Sequence, residues 1–206
     1  MDTIISVFMK IFFDESKENN TTISFEPKDL TKHYSKEIED NHLDGIYVAT
    51  EYKNIAHTIE LYKYKSHRQY VDSYVDILAK VVDLYIPEFE KEGLTIVNVP
   101  MHWTRYIIRG FDHIHYLCMW LSKKTGINYM SPLRAFFTKR QAKLTKSDRI
   151  KNRMNTFSTK DNINLLKSVI IVDDIISTGS TVNSCAKILK ESGVEKVYWV
   201  FIASNQ

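Results

Sequence analysis

The chain predicts an α/β protein with a mostly parallel sheet flanked by helices, and three observations carry that expectation. From Gly93 onward, strand-like and helix-like segments alternate: "LTIVNVP", "DHIHYLCMWLSKKTG", "INYMSPL", "SVIIVDD", "TVNSCAKILKESG" and "VEKVYWVFIAS". The main strand-like segments are apolar almost without a break, as strands covered on both faces are. Of 206 residues, 44% are hydrophobic and 26% charged, with six Gly and four Pro. That composition belongs to a folded chain with one core, without linkers, repeats or low-complexity segments.

Taken in order, "TIISVFMKIFF", "TTISF" before Pro27 and "GIYVATEY" after Gly45 are short runs rich in β-branched and aromatic residues. They predict a small N-terminal β unit over residues 1–54, ahead of an α/β domain over 55–206. Ile55, Ile59, Tyr62, Val71, Val75, Leu78, Val82 and Tyr85 keep a helical period, broken near Ser66 and ended by Pro87. The alternating segments then follow, interrupted between "INYMSPL" and "SVIIVDD" by a basic stretch. Trp120, Trp199 and the tyrosines of the long helical region read as core or interface, whereas Trp103 falls in a candidate ligand loop.

Several function classes are set aside at this level. The apolar start is preceded by Asp2 and interrupted by Lys10, with no cationic leader region or cleavage site. No apolar stretch approaches the roughly 20 residues needed to span a bilayer. Cys118 and Cys185 lie far apart in helix-like segments, which suits a reduced, cytoplasmic setting. His113 and His115, two apart on a helix, point to different faces, unlike a zinc-binding pair four apart.

The net charge of +3 is mild, but its distribution is uneven. Between Arg134 and Arg153 eight Lys and Arg face a single acid, Asp148, a local charge of +7. Such a cluster fits an anionic partner, a phosphate-rich small molecule or nucleic acid, and equally a solvated basic face.

Chemistry concentrates in "VIIVDDIISTGSTV", residues 169–182. A buried strand runs out of apolar residues at the sheet's C-terminal edge, where open α/β sheets bind ligands, and Asp173 and Asp174 stand there. Ser177, Thr178, Gly179, Ser180 and Thr181 then lead into a helix. Their backbone N–H groups and hydroxyls suit a phosphate, and Gly179 allows close approach. Carboxylates beside an anion cradle fit a ligand with a phosphate at one end and hydroxyls or a bound cation at the other, as in a sugar phosphate. A capped turn would need one Asp, not two followed by "STGST".

This stretch resembles the PRPP-binding fingerprint of type I phosphoribosyltransferases. Upstream, Val99, Pro100, Arg105, Arg109, Gly110, Phe111 and Asp112 in "VPMHWTRYIIRGFD" are similar to the corresponding pattern of the ComF branch, as are Gln141, Leu144, Arg149, Asn152 and Phe157. The likeness covers about Tyr62 to Ser204. It implies a type I phosphoribosyltransferase-like core that binds PRPP with Mg²⁺ held by Asp173 and Asp174, the two acids also orienting the ribose. Residues 177–181 would take the 5′-phosphate, and a loop of Met101, His102, Trp103, Thr104 and Arg105 the pyrophosphate. Lys139, Arg140, Gln141 and Lys143 would belong to a mobile loop closing over the ligand. Arg109 either joins the site or pairs with a carboxylate. Lys63, Lys65 and Arg68, in a looser match, read as a solvated helix face.

The chain departs from the family in lacking any CxxC pair for the zinc ribbon of many ComF proteins, and in having Ser177 where purine-salvage members carry an acid. The second departure argues against a purine acceptor. Three readings remain: a phosphoribosyltransferase for an unidentified acceptor, a non-catalytic PRPP or nucleotide sensor, and a protein handling single-stranded DNA in uptake or processing. Type I folds of this sort often form homodimers.

Overall fold

A computed structural model describes residues 23–38, 41–64, 70–101, 103–135, 157–160, 163, 166–176 and 178–205. Strands β1 (Lys28–Asp29), β2 (Gly45–Glu51), β3 (Leu94–Asn98), β4 (Asn128–Met130), β7 (Ser168–Ile175) and β8 (Lys196–Ser204) form one sheet in the order β1-β2-β8-β7-β3-β4. Every pairing in it is parallel except that of β1 with β2. A separate antiparallel pair, β5 (Leu133–Ala135) and β6 (Phe157–Thr159), brackets the basic stretch, with Ala135 opposite Phe157.

Among the described residues the helices are α1 (Thr31–Glu37), α2 (Ala56–Tyr64), α3 (Val71–Tyr85), α4 (Trp103–Arg109), α5 (His113–Thr125) and α6 (Ser180–Glu191), with shorter helical turns at Tyr52–Asn54 and Glu88–Lys91. On one face of the sheet, Ile59 and Tyr62 of α2, Tyr74 and Leu78 of α3, and Leu117 and Leu121 of α5 pack on Ile170, Val172, Val200 and Ile202. On the other, Tyr34 of α1 and Val182, Cys185 and Leu189 of α6 pack on Val169, Ile171, Trp199 and Phe201. Each fully buried aliphatic side chain contributes about 1.5–3 kcal/mol. The central strands β7 and β8, covered on both faces, therefore hold the sheet's C-terminal edge rigidly.

Two expectations change here. Residues 45–51 are not part of a separate β unit: β2 pairs parallel with β8 over Gly45 to Ser204, so this strand belongs to the main sheet. Asp44 anchors its start, accepting from the Val197 N–H at 2.8 Å and from Lys190 Nζ at 2.7 Å. Where only strands were expected, α1 is helical, its first N–H held by Asp29 Oδ1 at 2.8 Å. It buries only Tyr34, too little to leave a helical period in the sequence. "TTISF" contributes no strand over 23–25, and "TIISVFMKIFF" lies outside the described residues. The helical break expected near Ser66 lies outside the described residues; α2 ends at Tyr64 and α3 begins at Val71.

Candidate functional site

The sheet's C-terminal edge gathers β7, the chain after β3 and the start of α6. Thr178, Gly179, Ser180 and Thr181 curve round a small open cleft that Asp173, Ile175, Val182 and Trp199 also line. Gly179 sets the curve. It caps α6 with φ 68°, and a Cβ there would stand 2.7 Å from Ile38 Cδ1. An L side chain resists that φ, so the turn requires glycine. Thr178 and Thr181 are exposed, and the Thr178 and Ser180 hydroxyls lie 3.0 Å apart, so the hydroxyl donors cluster at the helix entrance. N–H groups at a helix start carry partial positive charge and suit an anion.

Asp173 and Asp174 do not act as a matched pair. Successive residues of a strand project to opposite faces. Asp173 faces the cleft, with Oδ1 accepting from the Asp174 N–H at 2.8 Å. Asp174 is turned to the other face, where Oδ1 accepts from the Ile175 N–H at 2.6 Å. Its Oδ2 lies 2.7 Å from His113 Nε2 and 2.8 Å from Lys63 Nζ. Arg109 Nη1 reaches the same imidazole, 3.2 Å from Nδ1.

These surroundings drive the two carboxyls apart. Burial, and then the charge of Asp174, push Asp173 up to about 7. Burial would raise Asp174 too, but the His113 hydrogen bond and the Lys63 charge outweigh it and hold the group well below the ordinary carboxylate range. Burial also lowers the pKa of His113, against the opposing pull of Asp174. The imidazole is therefore neutral near pH 7.

Lys63 is thus not on a solvated face: its side chain is 14% exposed and committed to Asp174. His113, set aside as a metal ligand, is a buried partner of the same acid. Neither role was visible in sequence, because each depends on a tertiary contact across 61 residues or more. Arg109 Nη1 lies 3.2 Å from His113 Nδ1, and the same ring reaches Asp174 through Nε2.

The expected pyrophosphate loop also differs. Met101 is half-buried, but Trp103, Thr104 and Arg105 form the first turn of α4, not loop. No Gly or Pro interrupts residues 101–109, and Gly110 ends the helix with φ 75° and its N–H on Tyr106 O at 2.7 Å. Trp103 and Arg105 are exposed. Arg105 is close enough to Asp173 for its charge to favour the ionised carboxylate. His102, Ser177, Lys139, Arg140, Gln141 and Lys143 lie outside the described residues.

The donor set can be tested against Mg²⁺. Among the described residues no group of three His, Cys, Asp or Glu could hold a metal ion. Both Asp174 oxygens are engaged within the chain, whereas Asp173 presents a carboxylate to the cleft. Mg²⁺ commonly takes one or two carboxylates and completes its shell with phosphate oxygens and water. Asp173 fits that role beside a phosphorylated ligand, and Asp174 does not fit as a direct ligand.

Residues 139–206 match the family described as phosphoribosyl transferase domain. Competence protein F of Haemophilus influenzae is 34% identical over 106 residues, covering 50% of this chain and 46% of that protein. Competence protein ComFC of Streptococcus pneumoniae is 29% identical over 126 residues, covering 59% and 54%. The chain spans about half the length of the curated relatives it matches. Among solved structures, the allosteric regulatory enzyme of purine biosynthesis covers 62% of this chain and 24% of its own, at 17% identity and a TM-score of 0.42. The domain match spans the Asp173–Thr181 motif, and over about half its length the chain is similar to competence proteins of the ComF type.

Proposed function

We propose that the cleft binds PRPP with Mg²⁺ and that the protein transfers phosphoribose to an acceptor. The observation that carries this reading is the cleft itself: one carboxylate facing a helix entrance built from Gly179 and three hydroxyl residues. The 5′-phosphate accepts from N–H and hydroxyl groups of Thr178–Thr181, and Asp173 accepts from the ribose hydroxyls. Arg105 stands on the side where the pyrophosphate leaves.

In the reaction the bond from the anomeric carbon to the pyrophosphate oxygen breaks, the electron pair leaving with pyrophosphate. A nitrogen of the acceptor forms the new bond to that carbon and gives up a proton. Bound Mg²⁺ would neutralise charge on the departing pyrophosphate. The chain's own contribution is orientation and electrostatics: Asp173 opposes the positive charge that develops on the sugar, and Arg105 the negative charge on the leaving group.

Calorimetric titration of PRPP into the protein, with and without Mg²⁺, tests the reading. It predicts saturable binding that needs Mg²⁺; no heat of binding in either condition would refute it. A second reading has support of its own: relatives are named for competence and for DNA utilization, and residues 134–153 are strongly basic. Binding of single-stranded DNA through that stretch would weaken steeply with added salt and ignore Mg²⁺–PRPP.

A further inference from the structure

The groups behind Asp174 form a continuous chain, Arg109 to His113 to Asp174 to Lys63, on the side of β7 away from the cleft. Its hydrogens can be assigned. Arg109 Nη1 lies 3.2 Å from His113 Nδ1 and 3.4 Å from Nε2, and the tautomer follows from the other side: a carboxylate only accepts, so Nε2 is the donor to Asp174 and Nδ1 of the neutral ring the acceptor. The proton then sits on Nε2, which donates to Asp174 Oδ2 at 2.7 Å. One neutral imidazole thus accepts from the last residue of α4 and donates to the acid on β7.

Helix α4 buries none of its own residues, so polar contacts such as this one bear on how it is held. Trp103, Tyr106, Ile107 and Ile108 are all more than half exposed. A seven-residue helix without core packing belongs to the low-stability end of a structure. Yet α4 carries Arg105 on the side of the cleft assigned to pyrophosphate. Behind Arg109, the chain is pinned: Phe111 is buried, with its ring 6.2 Å from that of Tyr62, and the Tyr62 hydroxyl donates to His113 O at 2.6 Å.

We infer that His113 is a positioning residue: it ties α4, and with it Arg105, to the acid-bearing end of β7, so that the ribose and pyrophosphate ends of the ligand are held in one geometry. The inference rests on the PRPP reading above. It separates two ligands that share the phosphate cradle and the ribose but differ in the pyrophosphate, namely PRPP and ribose 5-phosphate.

His113→Phe keeps a ring of similar size and removes both hydrogen bonds; His113→Gln restores one donor and one acceptor. Hydrogen exchange of ligand-free protein should show faster exchange over residues 103–110 in the Phe variant, with β3 and β7 unchanged, and recovery in the Gln variant. Titration should show PRPP weakened about tenfold by Phe, the scale of losing an outer partner of a binding group, with ribose 5-phosphate little changed. Arg109→Met cuts the same tie while leaving the His113–Asp174 bond, and should reproduce both effects if the Phe variant fails to fold. Unchanged exchange in α4, or equal weakening of both ligands, would overturn the assignment. Wild-type protein that binds neither ligand would refute the PRPP reading instead, and the exchange experiment would still decide whether His113 holds α4.

Discussion

The two sides of β7 at its C-terminal end use the same side chain in opposite ways. On one side Asp173 opens onto a cleft of hydroxyls and backbone N–H groups; on the other Asp174 is enclosed by Lys63 and His113, with Arg109 behind. Facing the cleft, Asp173 has no direct cationic partner among the described residues, and burial and the charge of Asp174 outweigh the pull of Lys63 and Arg105 and raise its pKa. Its neighbour, compensated inside the chain, is held ionised. A repeated acid in a motif therefore need not mean a repeated role: strand alternation divides the pair into one group that faces the cleft and one that is tied into the scaffold.

The largest effect that would break this contrast lies on the enclosed side. Asp174→Ala leaves Lys63 and His113 buried without their anion and should destabilise the fold by about 3–5 kcal/mol in urea denaturation. A loss below about 1 kcal/mol would mean that the pair behaves like an exposed one. Next comes the cleft's turn. Gly179→Ala forces a side chain to φ 68° and against Ile38, and should cost about 1–2 kcal/mol from the backbone alone. Adding Ile38→Val removes the Cδ1 contact and should recover only the steric remainder, so full recovery would discount the backbone argument.

The smallest effect sharpens the contrast through pH. Because folding raises the pKa of Asp173 to about 7, its proton is bound more tightly in the native state. That contribution to stability is whole below the ordinary carboxylate range and is lost as pH rises through about 7. Asp173→Asn, which cannot ionise, should therefore gain stability relative to wild type between about pH 5 and pH 8 in thermal denaturation. A parallel pH dependence in both proteins would show that Asp173 is not the shifted group.

Much of this architecture was legible in the sequence, and the exceptions share a cause. Apolar runs at 94–97, broken only by Thr95, and unbroken at 169–172 and 197–202 marked the central strands, because burial on both faces leaves little room for polar residues. Asp112 and Gly126 marked the ends of α5, where Asp112 Oδ1 accepts from the His115 N–H and Gly126 adopts φ 75°. The cleft was legible because Asp173 and Thr178–Thr181 fall within one short stretch of sequence. Helices α1 and α4 were not, since one buries a single residue and the other none, and a helical period is a record of burial. Lys63 and His113 were missed for a different reason: an ion pair from α2 and a hydrogen bond from α5 that meet on one acid of β7 depend on packing that no local pattern encodes.

The central claim is that Asp173, and not the pair as a unit, meets the ligand. Calorimetric titration of Mg²⁺–PRPP into Asp173→Asn, beside wild type and with the fold checked by circular dichroism, tests it most directly. A folded variant whose affinity falls by about 100-fold, the upper scale for losing a group that orients a bound metal complex, is the predicted result. A folded Asp173→Asn that binds Mg²⁺–PRPP as tightly as wild type would contradict the account.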